Sequence, residues 1–316
     1  MSFVSALTQA ILPVLAIAGV GFLLGRIRDI DVDALSTVTI YILTPALVFS
    51  SLATSSLGGQ AVASLVAGVI AFTVLMVGLA EVVATALGET GAVRSGLVLT
   101  SAFPNAGNYG IPLSAFAFGA VGRSTAVLFI SVQAVLMYTL GVYVASRGAL
   151  ERWTSAFAAV FKLPLVYAVL AAGIARVLDV VPPATSPPME AITLTGDAAI
   201  PVMLIMLGIQ LANTDYGTTL SRVWAPVGLK MLVAPVIGVG MALLLGFANP
   251  DVGRVFVLEC AMPAAITPLM LTIEYRRGDE GLGGPEYVST AIFVSTVLSV
   301  PVLAVLITLL QSGAIL

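Results

Sequence analysis

Apolar runs of roughly 18 to 27 residues, each long enough to cross a hydrocarbon layer about 30 Å thick, recur along the chain with short polar breaks between them. Ten are read, at about 5–25, 34–54, 61–87, 93–118, 124–146, 163–181, 189–212, 222–248, 252–275 and 287–311. Charged residues make up only 9% of the 316, against about 25% in a soluble domain. Little chain is left for a separate soluble unit. The expected class is an all-α polytopic membrane protein of ten transmembrane helices, with the lipid bilayer as its first partner.

Histidine is absent and Cys260 is the one cysteine. This removes His-ligated metal sites, intrachain disulfides and histidine acid–base catalysis together. A net charge of −3 gives no reason to expect nucleic acid as a partner. The stretch MSFVSALTQ has no basic segment ahead of its first apolar run, so no cleavable signal is expected. Basic residues fix an orientation, because Lys and Arg gather on the cytoplasmic side. One set of loops carries nine: Arg26, Arg28, Arg94, Arg147, Arg152, Lys162, Arg222, Arg276 and Arg277. The opposite set carries three, Arg123, Arg176 and Arg254, and Lys230 is expected to snorkel toward the richer side. Both termini are therefore expected outside the cytoplasm, with the protein in the cell membrane.

The chain repeats itself upside down. Pro13 pairs with Pro164, Pro45 with Pro201 and Pro104 with Pro263, at separations of 151, 156 and 159 positions. So slow a drift is what small loop insertions in a duplicated unit produce. Residues 1–146 form a first five-helix repeat, 147–162 a short cytoplasmic linker, and 163–316 a second repeat. Five spans per unit is an odd number, so the second copy enters the membrane with opposite polarity. Inverted repeats with paired broken helices point to the binding site of a secondary transporter.

The broken helices are explicit. The fourth span contains FPNAGNYGIP, with Pro104 and Pro112, and the ninth contains MPAAITP, with Pro263 and Pro268. Each proline removes an N–H donor and frees a carbonyl one turn earlier. Backbone in that state survives in a membrane only where it is buried in protein or lines a cavity. Each break also leaves a helix N-terminus carrying partial positive charge, so an anion can be held there without a buried lysine. Candidate substrate-binding residues are Asn105, Gly107, Asn108 and Gly110 at the first break, and Ala264, Ala265 and Thr267 at the second.

These breaks resemble those of the auxin efflux carrier family, which includes plant PIN carriers and bacterial and archaeal relatives. The resemblance rests on PNAGNYGIP with the later Phe118-Gly119, on MPAAITPLMLTIEY from Met262 to Tyr275, and on GDAAIPVMLIMLGIQL from Gly196 to Leu211. It implies two inverted five-helix repeats with two broken crossover helices, the plan shared with bile-acid symporters. It also implies a scaffold domain from about 1–54 and 163–212, and a transport domain from about 61–146 and 222–316. By the same resemblance the protein carries small organic anions, auxin-like or mono- and dicarboxylates, by elevator-type alternating access. Asn105 would be a substrate ligand and the protein a homodimer. The chain departs from plant members in its short central loop and in Ala264 and Ala265, where those tend to be more polar.

Ionisable groups within spans are expensive and are functional candidates. Glu259, one helical turn before Pro263, is a candidate proton carrier. Glu81, late in the third span, is a second candidate for coupling or a residue that simply reaches water. Asp197 reads as a solvated helix-start carboxylate or a cation ligand. Gln133, Tyr138 and Gln210 either line a pocket or bond between helices. The glycines of GVGFLLG (Gly19 to Gly25) and GVIAFTVLMVG (Gly68 to Gly78) suggest close helix packing.

The expected function is secondary transport of a small organic anion, with no cofactor beyond H+ or Na+ as coupling ion. A sodium-coupled symporter of the bile-acid type is the alternative, with Glu259 and freed carbonyls as sodium ligands. An intramembrane enzyme would want paired catalytic carboxylates, HExxH or a Ser/His arrangement, none of which falls within a span.

Overall fold

The computed structural model describes residues 7–146, 158–213, 220–274 and 283–316. Arg147, Arg152, Arg276, Arg277 and most of the 147–162 linker lie outside them. Among the described residues the chain is helical nearly throughout and forms no strand beyond one isolated bridge. In order, α1 is Thr8–Ile27, α2 Val32–Ala53, α3 Gly59–Ala86, α4 Gly91–Ala102, α5 Ala106–Ala145 and α6 Pro164–Val177. Then come α7 Pro187–Ala212, α8 Trp224–Leu245, α9 Pro250–Cys260, α10 Thr267–Glu274 and α11 Gly284–Gln311.

Seven of these helices are long and apolar enough to cross a membrane. The other three expected spans differ for visible reasons. The fourth stops at Ala102 and resumes at Ala106, and the ninth stops at Cys260 and resumes at Thr267, each around a proline. The sixth, read to 181, keeps 14 helical residues. Asp179 takes a left-handed conformation at φ 54°, and the following Val180-Val181-Pro182-Pro183 disfavours a return to helix.

At 1.5 Å per residue a straight α5 of 40 residues would be about 60 Å long, twice the hydrocarbon thickness. It is bent at Gly119, whose φ of 60° and ψ of −139° only glycine adopts readily. The two arms fold back so tightly that a β-carbon on Gly122 would overlap the Ser114 carbonyl.

Prolines also explain four of the five wide, π-type turns among the described residues, Met137–Gly141 being the fifth. Leu7–Ile11, Thr39–Leu43, Ala106–Gly110 and Leu229–Val233 each end two residues before a proline: Pro13, Pro45, Pro112 and Pro235. The proline ring clashes with the carbonyl four residues earlier and offers it no donor. Widening the turn by one residue is the usual way to re-satisfy such a carbonyl inside a helix.

Two packing neighbourhoods result. α1 lies along α7, and the second half of α2 packs on α6 and α7. On the other side α3, α4, α8, α9 and α11 pack among themselves and around α5. The α1–α7 contact is made by small residues, as the glycine spacing anticipates. A β-carbon at Gly21 would overlap the Ile205 backbone, and one at Gly208 the backbone of Ala18. Gly19 and Gly78 have open space beside them and contribute no such contact.

Candidate functional site at the crossing of the two breaks

Because Phe103 precedes Pro104, it is extended, at φ −107° and ψ 104°. The two interrupted segments meet there as a miniature antiparallel pair, Pro104 opposite Ala264. The Asn105 amide donates to the Pro263 carbonyl at 2.7 Å, and the Ala265 amide to the Phe103 carbonyl at 3.0 Å. Each segment is also tied by a side chain of a neighbouring helix. Gln133 Nε2 of α5 donates to the Pro104 carbonyl at 2.8 Å, and the Ala264 amide donates to Ser295 Oγ of α11 at 3.2 Å. Backbone exposed around Pro104 and Pro263 is thus satisfied inside the protein, as a membrane requires.

A cavity of about 240 Å³ opens on this crossing. Its floor is Asn105 to Asn108 at the start of α5 and Ala265 to Thr267 at the start of α10. Two helix N-termini therefore face it; in α10 Pro268 has no N–H and the Leu269 amide is taken by the Ile266 carbonyl at 2.9 Å, while the leading amides of each helix have no carbonyl one turn earlier to bind. Asn105 is 6% exposed and its Nδ2 has no partner, and Gln133 Oε1 likewise has none. No charged side chain is among the described residues lining the cavity. Its far wall comes from α2 and α7, through Ser36, Thr39, Met203 and Met206. Nothing in the sequence separates these four from ordinary helix-packing residues; only the fold brings them to the crossing. Tyr138 and Gln210 line it too.

Of the residues singled out in the sequence, Asn105, Gly107, Asn108, Ala265 and Thr267 line the cavity, as does Pro104. Ala264 is the bridge partner of Pro104 and is 1% exposed, so it does not line the cavity. Gly110 faces the other way, against Glu259. Pro112 and Pro268 sit in the first turns of the two restarted helices, and Pro263 accepts the bridging bond.

Glu259 is fully buried behind the crossing and away from the cavity. Ser114 Oγ donates to its Oε1 at 2.6 Å, while Oε2 has no partner. Glu81 pairs with Arg94 at 2.6 Å across the α3–α4 turn, with both side chains partly exposed. Asp197 closes the first segment of α7, Pro187–Asp197, two residues before the second starts at Ala199, and its half-exposed carboxylate pairs with Arg123. Lys230 does not snorkel. It is fully buried, and its Nζ donates to the Cys260 carbonyl at 3.1 Å. The three arginines of the poorer loop set all bind the protein itself: Arg123 as above, Arg176 to the Leu52 and Leu57 carbonyls, and Arg254 to Asp251 and the Leu316 carbonyl.

The sequence model of a family described as membrane transport protein matches residues 6–307. The chain belongs to that family. The assignment agrees with the auxin-efflux-carrier resemblance of the two breaks, and as a member of the membrane transport protein family the chain is a multi-pass transporter relative rather than a soluble protein that happens to be apolar. It is 28% identical over 299 residues to a protein of Methanothermobacter thermautotrophicus named as an uncharacterized transporter. That alignment takes in 92% of this chain and 94% of the relative.

Proposed function

We propose that the protein is a secondary active transporter of a small organic anion, which binds in the cavity at the crossing of the two broken helices. The carrying observation is the convergence of two helix N-termini and an unpartnered, buried Asn105 amide on a cavity with no charged lining residue. Helix N-termini and amide donors favour an anionic group without a fixed counter-charge that would trap it.

In this reading the ten spans are two inverted five-helix repeats, and α5 with α3, α4 and α8 to α11 moves as a unit against α1, α2, α6 and α7. The packing neighbourhoods support that division, and an almost wholly aliphatic hollow of about 400 Å³ lies between α3, α5 and α6, where the two units would slide. The cavity lies toward the helix ends that carry most of the basic loops, so the state described faces the cytoplasm. The protein acts as a homodimer in the cell membrane with both termini outside.

Counterflow in proteoliposomes tests this. Vesicles preloaded with an unlabelled carboxylate should transiently accumulate the labelled compound, and Asn105→Ala should abolish the overshoot. A labelled carboxylate that merely equilibrates, equally in wild type and mutant, would indicate a pore and refute the carrier reading.

A further inference from the structure

We infer that the ammonium of Lys230 is the resident cation of the second crossover, holding the end of α9 in place of a bound metal ion. A helix ends with four carbonyls that have no successor amide, and at α9 all four can be followed. Val257 and Leu258 share the Ala261 amide at 3.1 Å each, and Glu259 takes the Met262 amide at 3.2 Å. The fourth, Cys260, takes Lys230 Nζ at 3.1 Å. The Lys230 side-chain nitrogen thus stands at the negative end of a half-helix, where a positive charge is favoured. It is completely removed from water, with the Phe72 ring 5.5 Å from Nζ.

The neighbouring oxygens are those a small cation would want. Glu259 follows the same helix end, fully buried, with Oε2 unpartnered. Lys230 and Glu259 interact electrostatically but form no direct ion pair. A carboxylate beside freed carbonyls at a broken helix is the oxygen set of a sodium site. Here a lysine from the wide turn of α8 reaches into it and supplies the cation from within the fold. Such a crossover needs no sodium to assemble, so transport through it should not require sodium. The inference concerns the ion requirement of the proposed transport site, yet it can be read without substrate.

The test is thermal unfolding of the purified protein, substrate-free, at constant ionic strength in choline, sodium or propylammonium chloride. Wild type is expected to melt at the same temperature in all three. Lys230→Ala should melt lower by about 5 °C or more, since removing one of two buried charges strands the other, and sodium or propylammonium should restore it saturably where choline does not. The double variant Lys230→Ala with Glu259→Gln should lose that selective rescue. Saturable stabilisation of wild type by sodium would overturn the inference, and this arm needs no variant to fold. Indifference of Lys230→Ala to which cation is present would overturn it as well. Failure of the transport reading would show instead as absence of carboxylate counterflow, with the cation results unaffected.

Discussion

Gly110→Val is expected to abolish transport and to lower the melting temperature of the purified protein by several degrees. A β-carbon at Gly110 would lie 2.8 Å from Glu259 Cδ and closer still to Oε2. The carboxyl cannot yield easily, because Oε1 is held by Ser114 and the whole group is enclosed. Overpacking of this kind costs about 1–3 kcal/mol, and breaking a buried hydrogen bond adds about 1–3 kcal/mol more. The strain also falls where the first break leans on α9, so the crossing itself is displaced. Gly107→Ala provides the contrast: its new methyl would meet only Ile130 side-chain atoms, at 3.8 and 3.9 Å. It should fold with an unchanged melting temperature, and any defect should appear in substrate affinity. Uptake and melting of the two variants, measured side by side, check the distinction; equal melting temperatures would contradict it.

The second large effect is expected at Arg123. Its guanidinium joins Asp197 of α7 and Ser51 Oγ of α2, the latter at 2.9 Å. This cluster lies at the opposite ends of the helices from the cavity. In the proposed cycle α5 must move against α2 and α7 to open that side, so the cluster is a latch that favours the state facing the cytoplasm. Asp197 is half exposed, so water weakens the pair, and a bias on the order of 1 kcal/mol is the appropriate scale, about fivefold in population. Arg123→Ala should therefore raise, about fivefold, the rate at which a membrane-impermeant thiol reagent applied from outside labels Met206→Cys in the cavity. An unchanged rate would show that Arg123 holds no state closed.

Much of this arrangement was legible in the sequence, and what was not has physical reasons. Double prolines fix where helices must break, because a missing donor and a ring clash act locally. They do not say that Pro104 and Ala264 will pair, since that bridge joins segments about 160 positions apart and depends on the fold. Positive-inside counting assigns sides to loops but is silent on inward contacts, so it predicts snorkelling for Lys230 and misses its buried bond to the Cys260 carbonyl. A long stem can reach either water or a helix end, and the sequence does not choose. For Asp197 the sequence leaves a solvated carboxylate and a cation ligand both open; its partner, Arg123 of α5, is a contact that only the fold creates. The cavity wall from α2 and α7 was hidden because Ser36, Thr39 and Met206 look like ordinary packing residues of apolar helices.

The central claim is that the crossing of the two breaks holds a carboxylate. The most direct measurement is thermal stabilisation of the purified protein by a panel of mono- and dicarboxylates, wild type beside Asn105→Ala. The account predicts at least one carboxylate that raises the wild-type melting temperature saturably, with little or no shift in Asn105→Ala. A neutral or cationic solute that stabilises both proteins while no carboxylate stabilises either would contradict it.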